Sequence, residues 1–167
     1  MGVKKIENEN SKKQFIPMKT IFDQPVRTEL IARIGQITAD HKAEWGKMNA
    51  YQMLRHNTYW NGWVLGKGHH TYKHELIGKL FGKIGLKRTL KNGKPFDRNV
   101  PTSNQFKVKV LTGDVDAEKA KWISLINEYD AFDNPAFVHD FFGKMSKEQI
   151  GILVYKHTDH HLRQFGV

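Results

Sequence analysis

Apolar positions recur at helical spacing along most of this chain. Val26, Leu30, Ile34 and Ile37 mark one face of a first helix. It is entered through Asp23 and Pro25, an N-cap followed by a first-turn proline, and is predicted to stop near Asp40–His41, with His41 on the surface. Asn49 is a second N-cap, and the helix from Ala50 to about Leu65 carries Met53, His56, Trp60 and Val64 on one face, with Trp63 alongside. From Glu75 to Leu90 a basic amphipathic helix places Leu76, Ile77, Leu80, Phe81 and Ile84 on one side and Lys79, Lys83, Lys87 and Arg88 on the other; Gly78, Gly82 and Gly85 weaken it. Residues 99–113 alternate Phe106, Val108 and Val110 with lysines, which predicts a short extended segment. Asp114, Asp116 and Glu118 then supply the negative first turn that a helix dipole favours. Trp122, Ile123, Ile126 and Tyr129 carry that helix to about Phe132, where Asp133-Asn134-Pro135 ends it.

The last helix has the clearest boundaries. Ser146 and Gln149 have the spacing of a capping box. Ile150, Leu153, Val154, His157, His161 and Phe165 follow as one inward stripe, and Gly166 is the stop. The sum is an all-α chain: four main helices with long crossovers and one extra basic helix. Residues 1–20 read as a polar arm, with Phe15, Ile16 and Met18 docking its end, and residues 21–167 as the helical domain.

Composition narrows the class. With 39% hydrophobic and 11% aromatic residues, 167 positions fit one globular domain. No apolar run has the length of a membrane span, and Met1 to Gln14 lack the apolar region of a signal peptide. Met1-Gly2 is not a myristoylation start, because Ile6 stands where Ser or Thr is required. A cytoplasmic location is the default expectation. The absence of cysteine excludes disulfides, thiolate metal sites and a cysteine nucleophile.

Charge is uneven. Between Lys67 and Arg98 nine Lys/Arg face two acids, which places most of the net +10 in one segment. Either the lysines are a solvated face, or Lys79, Lys83, Lys87 and Arg88 bind an anionic partner such as a lipid surface or an acidic metabolite. No nucleic-acid motif is present, so nucleic acid is not the expected partner. Gly66-Lys67-Gly68 lacks the ending of a phosphate loop; His69, His70 and His74 lie in or beside that loop, the His69–His70 pair as exposed histidines.

The chemistry sits on the inward stripes. His157 and His161 are one helical turn apart on the same face, the spacing with which two imidazoles grip one ion, but no Glu stands between them as in the H-E-x-x-H protease motif. His56 faces inward from the second helix, which contains no acidic residue. Three imidazoles with water in a remaining position would make an open site of the catalytic zinc type. The competing interpretation is a set of core histidines hydrogen-bonded to their neighbours. Asp159 falls opposite and should be solvated, and His160 lies on a flank. Phe137, Phe141 and Phe142, in the aromatic loop around His139, can pack a homodimer interface or cap the bundle.

Trp45-Gly46-Lys47-Met48-Asn49, Gln52-Met53-Leu54, His56, Pro101-Thr102 and Phe141-Phe142-Gly143 lead to the ending Tyr155-Lys156-His157, Asp159-His160-His161-Leu162-Arg163-Gln164-Phe165-Gly166. In these motifs residues 25–167 resemble an uncharacterised branch of the DinB/YfiT-like superfamily of four-helix bundles. Asp140 departs from the branch, which usually has Pro after His139. The resemblance implies one divalent metal, zinc or nickel first, held by His56, His157 and His161. It leaves the reaction open among metal-dependent hydrolysis, thiol transfer on a small-molecule substrate, and metal binding without catalysis. Gln164 and Asn57, with Gln52, are the residues placed to touch a metal-bound ligand. The anion-binding module of residues 67–98 stands as the alternative function.

Overall fold

The computed structural model describes residues 18–68 and 71–167. Phe15 and Ile16 of the arm and the His69–His70 pair lie outside them. Among the described residues the chain forms five α-helices and no strand: α1 (Gln24–Gly35), α2 (Ala50–Val64), α3 (Leu76–Leu90), α4 (Val115–Glu128) and α5 (Lys147–Gln164). Among the described residues no helix is long and apolar enough to cross a membrane.

The caps explain where the helices that carry the site begin. Asn49 Oδ1 accepts the Gln52 N–H at 2.9 Å while the Asn49 N–H donates to Gln52 Oε1 at 3.2 Å. Ser146 and Gln149 exchange the same pair of bonds at the start of α5, at 3.3 and 2.9 Å. Each reciprocal pair satisfies two N–H groups that a helix start leaves orphaned. Asp114 caps α4 through the Ala117 N–H. α1 ends at Gly35 rather than near Asp40–His41. Ile37 continued the apolar spacing, but its N–H turns back to the Ile34 carbonyl at 3.1 Å, so it reaches the core from a tight turn.

α1, α2, α4 and α5 supply one hydrophobic cluster in which Trp63, Trp122 and Tyr129 are the largest fully buried side chains. α2 packs most extensively along α4. Most polar groups inside are paired, as the cost of burying them requires: the Tyr129 hydroxyl donates to Asn61 Oδ1 at 2.9 Å. Glu118 supplies the expected first-turn charge of α4 and is also buried between Arg55 and Lys121. Residues 99–113 form no strand. Their alternation has no neighbouring strand to pair with, and a lone strand has no ladder. A single 3-10 turn, Asn104–Phe106, buries Phe106, and the carbonyls of Val108 and Leu111 accept from Gln52 and Asn49, tying the crossover to the α2 cap.

α3 departs most from its sequence pattern. An amphipathic helix is expected to turn its apolar side to the core. Here the buried face is Gly78, Gly82 and Leu86, while Leu76, Ile77, Leu80, Phe81 and Ile84 face outward. The glycines let the α3 backbone lie against the backbone of Asp140–Phe142, where a Cβ on Gly78 or Gly82 would run into the Phe141 carbonyl oxygen. The Glu75 N–H bonds the Asp140 carbonyl at 2.8 Å. At the other end the Lys156 amine from α5 donates to the carbonyls of Thr89 and Asn92, at 2.5 and 2.7 Å. That places a cation on the negative end of the helix dipole. Phe137 is buried in the core and Phe141 and Phe142 are half-buried beneath α3. This aromatic loop therefore caps the body and seats α3.

Candidate metal centre

The two capped helices bring His56, His157 and His161 together. One ligand atom from each lies within 4.8 Å of the others. His56 Nδ1 faces the Phe106 carbonyl at 3.0 Å, and as an N–H it donates there. His161 Nδ1 likewise donates to Gln164 Oε1 at 2.9 Å, and Gln164 Nε2 donates to the Trp45 carbonyl at 2.8 Å. With both Nδ1 atoms occupied, His56 and His161 keep Nε2 lone pairs free for a ligand. His157 Nε2 stands 3.3 Å from His56 Nε2. Its ring stacks on Trp60, with centroids 4.0 Å apart and planes 13° from parallel. His157 Nδ1 is buried without a hydrogen-bond partner among the described residues.

Burial decides the protonation state. It pushes the His56 pKa down, against the opposing pull of the Phe106 carbonyl. It pushes His157 and His161 well below the ordinary imidazole value, and the neighbouring histidines add to this. All three rings are therefore neutral at neutral pH, the form in which imidazole ligates a metal. His157 is partly exposed as a residue although its Nδ1 is buried, while His56 and His161 are 3% and 6% exposed.

One pair of the donor set has the spacing of two ligands on a zinc-class ion, whereas the 4.8 Å span of all three is longer, so a ring must shift for the three to bind one ion. Two nitrogens bound at about 2.0–2.1 Å on a tetrahedral ion lie about 3.3 Å apart, which is the His56–His157 separation. The fixed Nδ1 bonds of His56 and His161 are the outer contacts that commonly orient metal-ligating imidazoles. An unpartnered nitrogen on His157 also marks the cluster as polar groups not fully satisfied by one another.

The other expected residues divide. Gln164 contacts the cluster, but both ends of its amide are engaged, so it holds His161 against the Trp45 loop. Asn57 is fully buried, bonds back to Met53 and makes no hydrogen bond to the three histidines. Gln52 is spent on the α2 cap and the Val108 carbonyl. Asp159 is not free in solvent: Arg33 pairs with it at 2.8 Å. His160 is buried between Trp45 and Phe96, and burial lowers its pKa. A groove of about 660 Å³ beside α2 and α4 is lined by none of the three histidines and touches the site through Phe106 alone.

Sequence reasoning missed Phe106 and Trp45, which act through backbone carbonyls that no residue type advertises. Trp60 was visible on the stripe, but its stacking on His157 was not. The Trp45-Gly46-Lys47-Met48-Asn49 motif now has a physical reading. Trp45 receives Gln164. Gly46, at φ 84°, leaves room where a Cβ would sit 2.6 Å from Gln164 Nε2, and Asn49 caps the helix that carries His56.

His139 and Asp140 form a separate pair near the base of α3, Nδ1 to Oδ1 2.9 Å. Burial alone would push the Asp140 carboxyl up. The His139 imidazole, the Ser103 hydroxyl and the Phe141 N–H outweigh it and hold the pKa at about 2. A carboxylate depressed on folding stabilises above its unfolded pKa, and the contribution is lost as pH falls through the folded value. Asp140→Asn is therefore expected to cost about 2 kcal/mol at neutral pH. Urea unfolding of the two proteins should give curves that converge as pH falls toward about 2; a constant offset across that range would contradict the assignment.

A family model described as a protein of unknown function (DUF1569) matches residues 27–166. No curated protein and no solved structure matches the chain.

Proposed function

The chain belongs to the DUF1569 family of proteins of unknown function, and from the histidine cluster we propose that it binds one divalent metal ion through His56, His157 and His161. We further propose a DinB-like four-helix bundle as the architecture, with α3 as the extra helix, and hydrolysis or thiol transfer on a small molecule as the reaction. The observation that carries the reading is the triad itself: three neutral imidazoles from two facing helices, with their ligand atoms within 4.8 Å. Bundles commonly build metal sites from such inward side chains. An imidazole set suits zinc and nickel. When bound, such an ion supplies Lewis acidity toward a water or a thiol.

The chain's own residues do the positioning. Phe106 and Gln164 fix the two ring tautomers, and Trp60 fixes the plane of His157. Metal binding without catalysis is the second reading, favoured by the burial of His56 and His161 and by a groove that bypasses the cluster.

The test is the metal content of untagged protein, followed by amide and thiol substrate screens of the loaded form. About one ion per chain supports the site; no ion, and no uptake of zinc or nickel on titration, sinks it. Turnover in either screen separates the enzyme from the passive binder. Gln164→Leu should weaken metal affinity about 10–100-fold, as loss of an outer contact typically does. Gln164→Glu, which keeps an acceptor for His161 but loses the donor to the Trp45 carbonyl, should recover part of it in the same titration.

A further inference from the structure

The outward face of α3 is an unpartnered apolar surface. Leu76, Ile77, Leu80, Phe81 and Ile84 are between 58% and 79% exposed, and none belongs to the hydrophobic core. Counted at about 100° per residue, these five side chains share an arc of about 140°. Lys79 and Lys83 line one edge of that arc, Lys87 falls just inside the same edge one turn beyond the last apolar residue, and Gly78, Gly82 and Leu86 lie on the far side against the body. Among the described residues the three lysines make no ion pair, and Arg88 makes one of 3.9 Å with the exposed Asp97. The helix is docked through its glycines and its C-terminal carbonyls, so turning the apolar face inward would separate α3 from Phe141 and Lys156.

We propose that α3 is a membrane-surface helix that lays Leu76, Ile77, Leu80, Phe81 and Ile84 into the headgroup boundary of an anionic bilayer, with Lys79, Lys83 and Lys87 on lipid phosphates. Charge selects this occupant. A contiguous apolar stripe edged by unpaired lysines is the pattern of an interfacial helix that rests on a membrane without spanning it. Nine Lys/Arg against two acids between Lys67 and Arg98 complement an anionic surface. A second copy of the chain would bring the same positive segment against itself, on a molecule whose net charge is already +10. A nucleic acid would meet the lysines but leave the five apolar side chains in water. The inference is independent of the metal reading, because α3 contributes no residue to the histidine cluster.

Co-sedimentation of the full untagged chain with vesicles tests it. Binding is expected to mixed phosphatidylcholine–phosphatidylglycerol vesicles and to fall at least about 10-fold with phosphatidylcholine alone. Lys79→Gln, Lys83→Gln and Lys87→Gln together should weaken anionic-vesicle binding about 100-fold, at roughly tenfold or less per charge. Leu80→Ser with Ile84→Ser should weaken it about 10-fold or more. All five positions are exposed, so both variants keep the helical circular dichroism and thermal midpoint of the parent. Equal binding to neutral and anionic vesicles, no binding to either, or full binding by the serine variant would each overturn the proposal. It is equally overturned if vesicles are ignored while an oligonucleotide is bound, or while sedimentation shows a dimer that the serine substitutions dissociate.

Discussion

His161→Ala is expected to abolish zinc or nickel uptake by the folded chain, and His56→Ala to do the same from the opposite helix. Binding by structural zinc sites is worth roughly 10–16 kcal/mol over four ligands, so each ligand carries about 3 kcal/mol, or about 100-fold in affinity. With three protein ligands, losing one leaves two, a set that no longer competes with a mild chelator. Stability of the metal-free protein should move much less. His161 and His56 are buried rings pushed toward neutrality, and their loss costs a cavity and leaves the Gln164 or Phe106 oxygen without its donor, a penalty of a few kcal/mol that is smaller than the loss of the metal. His160→Ala is the control. Its ring lies against Trp45 and Phe96 beside the cluster, so it should keep the metal. Metal analysis and thermal unfolding of the three variants decide the matter. If His56→Ala and His161→Ala take up zinc as the parent does, the three-imidazole site is wrong.

Gly82→Ala is expected to destabilise the chain although it improves helix propensity. At an unobstructed helical position the change gains up to about 1 kcal/mol. At Gly82 the new Cβ runs into the Phe141 carbonyl oxygen, a backbone atom that cannot rotate away. Overpacking of this kind costs about 1–3 kcal/mol, so the clash wins. Because α3 stands outside the main core, the helix should lift from the Asp140–Phe142 segment while the rest of the body stays folded. Hydrogen exchange should then rise in α3 ahead of α2 and α5. Gly35→Ala supplies the contrast, since nothing lies within 4 Å of its Cβ and the substitution should be neutral or stabilising. An unchanged unfolding midpoint for Gly82→Ala, with unchanged exchange in α3, would contradict the close backbone packing.

Where periodicity and capping agreed, the fold was legible. Asn49–Gln52 and Ser146–Gln149 announced the starts of α2 and α5, and the inward histidines followed from spacing alone. Legibility failed where tertiary context set the outcome. The α3 pattern reads as an apolar face and a lysine face, but the glycines between them form a third face that packs closer to the body than any side chain could. The alternation at Val108 and Val110 is real, yet without a partner strand its carbonyls serve Gln52 and Asn49. At the candidate site the ligand atoms could be placed from residue type and period. Their orientation could not, because Phe106 and Trp45 act through main-chain oxygens.

His56 and His157 meet across 101 positions of sequence. Their contact therefore has a long loop to close and exists in no partial fold that lacks either α2 or α5. Anything that grips both rings finds its binding partner only in the completed tertiary structure, so its affinity adds to the cooperativity of folding. A ligand present at a thousand times its dissociation constant would add about 4 kcal/mol to the folded state. The histidine pair thus ties the free energy of whatever it binds to the closure of the whole chain between the two helices.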